Sequence, residues 1–320
     1  MTRKQIDDKR KRVFLKKCAP QKPITIEDLF LGNAVTVYSR RLVLTAYADD
    51  ETARYMATKR EETFVMVKPR DLQRVGRVVA AMQMEGMSVI ELSTVTFAAT
   101  RYEELAALLP EHARDLLSGT SCAIRAMGQN ISATLDRVLS SADVVRSTDE
   151  TNARALGEFV TAGAQTQTAS ANSALCLVKP SGIANLGVII DYLVEKKGFE
   201  LVSARTFSAL TRAHAESFLS VYIDALPKIE VALMVEELSS GMSVALQLTR
   251  RENLPTLVDD LREIAGPRDP EIARVLRPQS LRARFGIDKQ RNAVHVTDLP
   301  GDGPLEVDFF FNLGDFKAPN

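Results

Sequence analysis

Two stretches of this 320-residue chain share the same sequence pattern, with the same spacing between its key residues. TFVMVKP at residues 63–69 and ALCLVKP at residues 174–180 are apolar runs that end in a Lys-Pro pair. In each copy a glycine opens a helical pattern eight residues after the lysine, as in Lys68 with Gly76 and Lys179 with Gly187. A strand pattern follows each helix, SVIELSTVTF in one copy and ELVSARTF in the other.

A second anchor repeats further along. SGTSCA at residues 118–123 corresponds to SGMSVA at residues 240–245, each between an amphipathic stretch and a strand. The period of about 110–120 residues is long enough for a whole domain and too long for a solenoid repeat. The sequence therefore predicts an internal duplication.

Strands separated by helices with short connections predict an α/β sandwich of the ferredoxin-like type in each copy. We expect one domain over residues 61–159 and a second over residues 174–320. The Ala/Thr/Ser/Gln-rich stretch at residues 160–173 lacks periodicity and is typical of a linker. We also expect the two copies to pack against each other about a pseudo-twofold axis.

The region before the duplication predicts a small β unit at residues 23–60. Two runs rich in β-branched and aromatic residues, 34–38 and 41–47, are typical of short paired strands. So short a unit holds a poor core alone, and we expect it to pack on a neighbour or a partner.

Residues 1–22 form a basic arm. Residues 1–20 hold eight Lys or Arg against two Asp, and the rest of the chain carries the compensating acidic excess because the formal net charge is zero. Such an arm is suited to binding an acidic partner, and it is equally consistent with a solvated tail that binds nothing. With no Trp and six Tyr in the chain, base stacking is poorly supported, so we expect no nucleic-acid partner.

Composition excludes other classes. No run of eighteen apolar residues is present, so we expect no membrane span, and the charged start MTRKQIDDKRKRVFLKKC does not resemble a secretory signal. The three cysteines, Cys18, Cys122 and Cys176, share no metal-type spacing. We interpret them as reduced thiols of a cytosolic protein, with Cys176 in the core, and we expect no protein-held metal site.

One of the three histidines, His295, lies in the stretch RNAVHVTDLPGDGPLEVDFFF after the arginine-rich RVLRPQSLRARFG. A neutral imidazole can attack phosphorus, and guanidinium groups bind phosphate oxygens in a fork. The pattern favours phosphoryl transfer or nucleotide binding. A surface histidine with polar neighbours is the alternative.

Residues 174–311 resemble a nucleoside diphosphate kinase domain. The resemblance is carried by LVKPSG, by the Asn-x-x-His motif NAVHVTD, and by a glutamate that we take to precede an aromatic strand in LEVDFFF. It implies that His295 accepts the γ-phosphate of a nucleoside triphosphate and passes it to a diphosphate. It also implies that Thr297 and Glu306 orient the imidazole.

The same resemblance implies the nucleotide contacts. Lys179 would contact the terminal phosphate and the ribose, and Arg262 and Arg282 would bind phosphate. Asn292 would hold the sugar hydroxyl, and Mg²⁺ would accompany ATP or GTP if the domain is active.

The sequence departs from the family pattern at several positions. Val296 replaces the usual glycine after the histidine, and a β-branched residue there is expected to narrow access. Arg268 falls where the family has a phosphate-contacting threonine, and Leu219 where it has a tyrosine beside the histidine. No counterpart of the base-stacking phenylalanine is visible.

The first copy keeps Lys68 but has no Asn-x-x-His motif, and its histidine, His112, is elsewhere. We interpret DVVRSTDETNARALGEF, residues 143–159, as the remains of the arginine-bearing segment. Without a nucleophile this copy is predicted to be a structural domain.

Residues 23–56, running into TKREETFVMVKP, resemble the second half of a DM-ten domain joined to a kinase-like domain. That arrangement is similar to the ciliary branch of the nucleoside diphosphate kinase family. It implies cytoplasmic, cytoskeletal localisation in the axoneme of cilia or flagella. It implies tubulin, other axonemal microtubule proteins and the γ-tubulin complex as partners.

Three functions are considered, of which we expect the first, with the other two as alternatives. The first is a structural axonemal protein inside doublet microtubules, with the kinase-like domains as scaffold. The second is phosphate transfer between nucleotides by the second copy, and the third is nucleotide binding without turnover.

Overall fold

The computed structural model describes part of the chain residue by residue. The described residues are 6–7, 12–13, 24, 29, 34–37, 40–44, 47–57, 61–128, 130–139, 144–163, 172–250 and 254–312. Most of the predicted basic arm, Cys18 included, lies outside them. The chain divides into two compact units, Met1–Ala53 and Arg54–Asn320.

The first unit contains two antiparallel strand pairs. The elements that open the chain are β1 (Ile6–Asp7), β2 (Arg12–Val13), β3 (Ala34–Val37), β4 (Arg40–Val43) and helix α1 (Asp50–Ala57). β1 pairs with β2, and β3 pairs with β4, with Ala34 opposite Val43. The second pair confirms the two short strands predicted from their β-branched residues.

The two copies lie in the second unit. The first copy consists of β5 (Glu61–Val67), α2 (Val75–Met84), β6 (Ser88–Thr96), α3 (Tyr102–Leu108), α4 (Ala113–Leu116), β7 (Thr120–Gly128), α5 (Ile131–Val138), β8 (Val144–Arg146) and α6 (Glu150–Gly163). α6 continues past residue 160, where the linker was expected to begin.

The second copy follows the same plan with a longer stretch before its last strand. It consists of β9 (Ala174–Val178), α7 (Leu186–Asp191), β10 (Glu200–Phe207), α8 (Arg212–Phe218), α9 (Lys228–Ser239), β11 (Ser243–Thr249), α10 (Leu257–Ala265), α11 (Pro270–Leu276), α12 (Leu281–Phe285), β12 (Val294–Val296) and α13 (Gly303–Asn312). A wider helical turn, Tyr192–Lys196, extends α7.

Each copy forms a four-stranded sheet, in the order β6-β7-β5-β8 and β10-β11-β9-β12. All neighbouring strands are antiparallel. Two identical strand orders with helices between the strands confirm the predicted α/β fold class and the duplication.

The apolar runs that revealed the repeat are the inner strands β5 and β9. Val65 and Val67 face one core while Phe64 and Met66 face another, because alternate residues of a strand point to opposite sides. A strand with both faces buried needs a continuous apolar run, which is why these stretches do not alternate. Cys176, on β9, is fully buried as predicted.

The copies pack through α2 and α7, which cross at paired glycines. A Cβ on Gly76 would lie 2.2 Å from the backbone nitrogen of Asp191, and one on Gly187 would lie 2.0 Å from that of Ala80. Asp191 and Ala80 each stand four residues after the other glycine. The contact is therefore reciprocal, as the predicted pseudo-twofold packing requires.

Edge strands β6 and β10 meet with the same reciprocity. The hydroxyl of Thr206 accepts from the backbone N–H of Leu92 at 2.8 Å and donates to its carbonyl at 2.9 Å. The hydroxyl of Thr94 makes the same pair with Ala204, at 3.0 and 3.3 Å. One hydrophobic core runs through both copies behind these contacts and includes α2 and α7.

Two sequence interpretations were wrong. The aromatic run that was taken as a strand after Glu306 is helix α13, where Val307, Phe310 and Phe311 recur at helical spacing and are buried. Residues 143–159 are not the remains of the arginine-bearing segment, because their described part, 144–159, holds β8 and most of α6, the counterparts of β12 and α13.

Candidate functional site

His295 is the middle residue of β12, opposite Leu177 on β9. Its neighbours Val294 and Val296 point into the core shared by the two copies, so the imidazole points to the other face of the sheet. The ring meets Phe218 edge-on, with ring centroids 5.0 Å apart. Val296 was expected to narrow access to the histidine, but it is 1% exposed on the opposite face and does not.

A hydrogen-bonded chain holds the ring. His295 Nε2 lies 3.0 Å from Glu306 Oε1, and the hydroxyl of Thr297 donates to Glu306 Oε2 at 2.7 Å. The same hydroxyl accepts from the backbone N–H of Leu175 at 2.9 Å. An ionised carboxylate only accepts, so in the neutral imidazole Nε2 carries the proton and Nδ1 keeps its lone pair.

His295 lines a cavity of about 100 Å³. The cations on its wall are Lys179, Arg268, Arg282 and Lys289. The structure therefore places a histidine, which can act as a nucleophile, beside lysine and arginine side chains, which can bind phosphate. Four cations around so small a cavity favour the binding of an anion.

Lys179 is 7% exposed, at the end of β9. Its ammonium donates to the carbonyl of Gln290, and its own backbone N–H donates to Ala293 at 2.8 Å. Burial lowers the pKa of Lys179 to about 7, partly offset by the charge of Glu237. The group thus titrates near neutral pH.

Arg282 is anchored to backbone carbonyls, with Nη1 2.7 Å from the oxygen of Gly266 and Nε 3.3 Å from that of Val294. Arg268 occupies the cavity wall where a threonine was expected from the family pattern. It is paired with Glu230 on α9, at 2.7 Å.

Asn292 is 5% exposed on the cavity wall. Its amide nitrogen donates to the carbonyls of Arg268, at 2.9 Å, and Lys289, at 3.3 Å. Its amide oxygen is buried and has no partner in the structure. A buried acceptor without a donor is costly, and a ligand hydroxyl would satisfy it. Ala293, next to it, has φ of 70°, a strained value that turns the chain between Asn292 and β12.

Arg262 is the one predicted site residue that does not join the others. It lies exposed on α10, outside the set of residues that line the cavity. Its role in phosphate binding stays a prediction.

Tyr222 is a cavity residue that sequence reasoning missed. Leu219 lines the cavity as expected, but the helical turn Leu219–Tyr222 also brings Tyr222 to the wall, where its hydroxyl donates to Asp298. Burial, ahead of the bond to Asp298, raises the pKa of this phenol. The cavity therefore contains a tyrosine, three residues after the position that the family pattern indicated.

The first copy lacks this chemistry at the same positions. Val145 on β8 is paired with Met66, just as His295 is paired with Leu177. Met66 and Leu177 each lie two residues before the lysine of their own copy. Ser147 repeats the role of Thr297, since its hydroxyl accepts from the N–H of Phe64 at 3.1 Å. The scaffold of the site is thus kept while its nucleophile is replaced by a buried aliphatic residue.

The counterparts of Arg268, Arg282 and Lys289 are missing from the first copy for a structural reason. Residues 250–293 of the second copy hold α10, α11 and α12 together with Arg268, Arg282 and Lys289. The corresponding stretch of the first copy, 129–143, is far shorter and its described part holds only α5. Lys68 remains, 3.6 Å from Asp115.

The described part of the chain contains no cluster of His, Cys, Asp and Glu arranged to hold a metal ion. Mg²⁺ is commonly held by substrate phosphates with one or two carboxylates, so it would enter this cavity with a nucleotide. Among the described helices, none is long and apolar enough to cross a membrane.

Comparison with known proteins agrees with the geometry. The family model described as nucleoside diphosphate kinase matches residues 172–316. Nucleoside diphosphate kinase from Aquifex aeolicus is 35% identical over 140 residues, which cover 43% of this chain and 92% of that protein. This match has the extent of one copy.

Other relatives match both copies. Nucleoside diphosphate kinase homolog 7 of Rattus norvegicus is 32% identical over 348 aligned residues, covering 97% of this chain and 85% of that protein. The homolog of the same name in Mus musculus has the same identity and coverage. With nearly its whole length aligned to these relatives, and with the cavity around His295 in place, the chain belongs to the nucleoside diphosphate kinase family.

Proposed function

We propose that the second copy transfers a phosphoryl group between nucleotides through His295, as a nucleoside diphosphate kinase. One observation carries the proposal. Glu306 holds Nε2 of the ring, which leaves Nδ1 with its lone pair on a ring that lines a cavity with four cations on its wall. A positioned nucleophile among phosphate-binding cations is what this reaction requires.

In the first step, the lone pair of His295 Nδ1 attacks the γ-phosphorus of a nucleoside triphosphate. The P–N bond forms as the bond from phosphorus to the β,γ-bridging oxygen breaks, and the nucleoside diphosphate leaves with that electron pair. The ring becomes cationic, and the Glu306 carboxylate stabilises it through the Nε2–H bond. No proton has to leave the site.

In the second step, a terminal oxygen of another nucleoside diphosphate attacks the same phosphorus. The P–N bond breaks and its electron pair returns to Nδ1, which restores the neutral ring. Lys179, Arg268 and Arg282 offset the charge on the phosphate oxygens in both steps, while the free amide oxygen of Asn292 accepts from a ribose hydroxyl. Mg²⁺, bound with the nucleotide, would further neutralise the phosphate charge.

Steady-state transfer from ATP to a second nucleoside diphosphate tests the proposal. Purified wild-type protein should form the second triphosphate, and His295→Gln should abolish it. His112→Gln, a change in the first copy, is the matched control and should retain wild-type activity. Phosphoryl transfer by the His295→Gln protein would contradict the mechanism.

The first copy supports a second, structural role. It keeps the sheet, the interface and the buried lysine while Val145 stands at the place of the nucleophile. We propose that it is a scaffold for axonemal microtubules and their associated proteins, as the resemblance to the ciliary branch implies.

Sedimentation with polymerised tubulin tests this role separately from catalysis. His295→Gln should pellet with microtubules as well as the wild type does. If neither protein sediments, tubulin is not the direct partner. Release of the tagged protein from axonemes by detergent alone would count against a place inside the doublet.

A further inference from the structure

Glu230, in the first turn of α9, bridges two of the cavity cations. Its Oε2 accepts from Arg268 at 2.7 Å, and its Oε1 accepts from Lys289 at 3.0 Å. Both cations line the cavity in which His295 lies. A single carboxylate therefore pairs with two of the cationic side chains that line the proposed phosphate site.

The backbones that carry the two cations are fixed. The amide nitrogen of Asn292 donates to the carbonyls of both Arg268 and Lys289, which ties residues from opposite ends of the α11–α12 segment together. Glu230 belongs to a different element, and its carboxylate can leave by rotation about its own side-chain bonds while α9 stays in place.

α9 carries a second carboxylate on the same side. Glu237 stands seven residues, two helical turns, after Glu230. It accepts from the backbone N–H of Ser181 at 3.0 Å, beside the buried Lys179. The helix therefore presents one acid towards each end of the cationic wall, and of the two Glu230 is bound through side chains alone.

We propose that Glu230 is an internal anion that competes with ligand phosphates for Arg268 and Lys289, and so makes binding depend on the number of phosphates. This inference deepens the proposed nucleotide site and rests on it. A ligand must displace the carboxylate to reach both cations. A triphosphate offers enough charge to do so, whereas a monophosphate leaves the existing pairs largely intact.

A structural ion pair that merely closes α9 onto the cavity is the competing explanation. Exposed ion pairs contribute little to stability, and the side chains of Glu230, Arg268 and Lys289 are 21%, 28% and 43% exposed. The two explanations predict opposite changes in anion affinity when Glu230 is replaced. Removing a competitor tightens anion binding, whereas removing a structural brace loosens it.

Titration calorimetry on the full chain with ATP, AMP and tripolyphosphate distinguishes them. Glu230→Gln should bind ATP about threefold to tenfold more tightly than the wild type. Its affinity for AMP should change by less than twofold, so the ratio of ATP to AMP affinity rises. Glu236→Gln removes a charge from the exposed side of the same helix and should bind all three ligands as the wild type does.

Tripolyphosphate separates failure of this inference from failure of the proposed function, because it has neither base nor ribose. If Glu230→Gln gains affinity for tripolyphosphate while ATP binds to neither protein, the competition holds and the nucleotide site does not. Equal or weaker binding of both polyphosphates by Glu230→Gln would overturn the competition.

Discussion

Glu306 is the residue that gives His295 its chemistry. An imidazole alone has two tautomers, and only the one protonated on Nε2 leaves Nδ1 free to attack. The carboxylate selects that tautomer at 3.0 Å, and Thr297 fixes the carboxylate from the other side at 2.7 Å. Because the Thr297 hydroxyl also accepts from the backbone N–H of Leu175 on β9, the sheet positions the carboxylate and, through it, the ring.

Glu306→Gln should lower the rate of phosphohistidine formation on the order of 10²-fold, because the neutral amide no longer stabilises the cationic ring. Rapid-quench measurement of a single turnover with ATP gives the rate. Asp308→Asn removes a carboxylate from the exposed side of the same helix and should leave the rate unchanged. A Glu306→Gln rate within twofold of the wild type would contradict this role.

Lys179 should make nucleotide binding pH-dependent. Burial lowers its pKa to about 7, so the ammonium is charged below pH 7 in the empty cavity and neutral above it. Phosphate favours the charged form, so affinity is full at low pH and falls as pH rises through about 7, by up to about tenfold per pH unit.

Calorimetry at pH 8 in two buffers of different ionisation enthalpy counts the protons involved. Wild-type protein should take up close to one proton on binding nucleotide, and Lys179→Met should take up less. The same proton uptake by both proteins would show that another group titrates.

At the scale of elements, the crossing of α2 and α7 depends on having no side chain at its closest point. Gly187 lies so near Ala80 that a Cβ would sit 2.0 Å from a backbone nitrogen, far inside any contact distance. Both helices would have to separate to admit a methyl group. Since the shared core lies behind the crossing, separation would open it.

Gly187→Ala should therefore destabilise the fold by about 3 kcal/mol, in the range of overpacked cores. Gly157→Ala, within α6, is the matched control, because its Cβ would meet the nearest atom, in the side chain of Arg125 on β7, at an ordinary contact distance of 3.6 Å. That change should stabilise by about 0.5–1 kcal/mol through helix propensity. Urea denaturation followed by circular dichroism measures both, and a Gly187→Ala midpoint equal to that of the wild type would contradict the crossing.

The sequence predicted the elements that the repeated motifs mark and misassigned α13, which no repeated motif marks. The Lys-Pro pairs and the glycines eight residues later fall where β5, β9, α2 and α7 begin or end. α13 was mistaken for a strand, since three consecutive phenylalanines favour β structure while the burial of Val307, Phe310 and Phe311 follows a helix. Periodicity counted over the whole segment would have separated the two.

Within the site, residues at a short fixed spacing from His295 could be predicted to lie near it. Lys179 and Arg282, on distant elements, were predicted through the family resemblance alone. Thr297 stands two residues after His295, and Asn292 stands three residues before it. Tyr222, on the turn after α8, lines the cavity, and Glu230, on α9, pairs with two of its cations. Both are placed by tertiary packing, which no spacing in the sequence encodes. Arg262 matched a spacing but lies on the outer side of α10.

At the scale of the whole molecule, the two copies share one core but have diverged in chemistry. The second copy keeps the long segment that carries the cations, and the first has lost both that segment and the nucleophile. The scaffold bonds of Ser147 and Thr297 survive in both, because they connect strands and do not depend on catalysis. Because one hydrophobic core spans both copies, removing the first copy would expose apolar surface of the second.

The reciprocal contact between the copies predicts the mass of the particle in solution. In a tandem chain, α2 and β6 are covered by α7 and β10 of the same chain, so the surface that would join two separate chains is already buried. Light scattering should give one chain, 35.2 kDa, per particle. A hexamer would contradict this internal pairing.

Covalent labelling tests the central claim, that His295 is a working phosphoryl carrier. The wild-type protein is incubated with ATP labelled on its γ-phosphate and without an acceptor, quenched in alkali and mapped by mass spectrometry. We predict one acid-labile phosphoryl group on His295, its absence in His295→Gln, its retention in His112→Gln, and its loss on addition of a nucleoside diphosphate. A wild-type protein that takes up no label, or takes it up on another residue, would contradict the account.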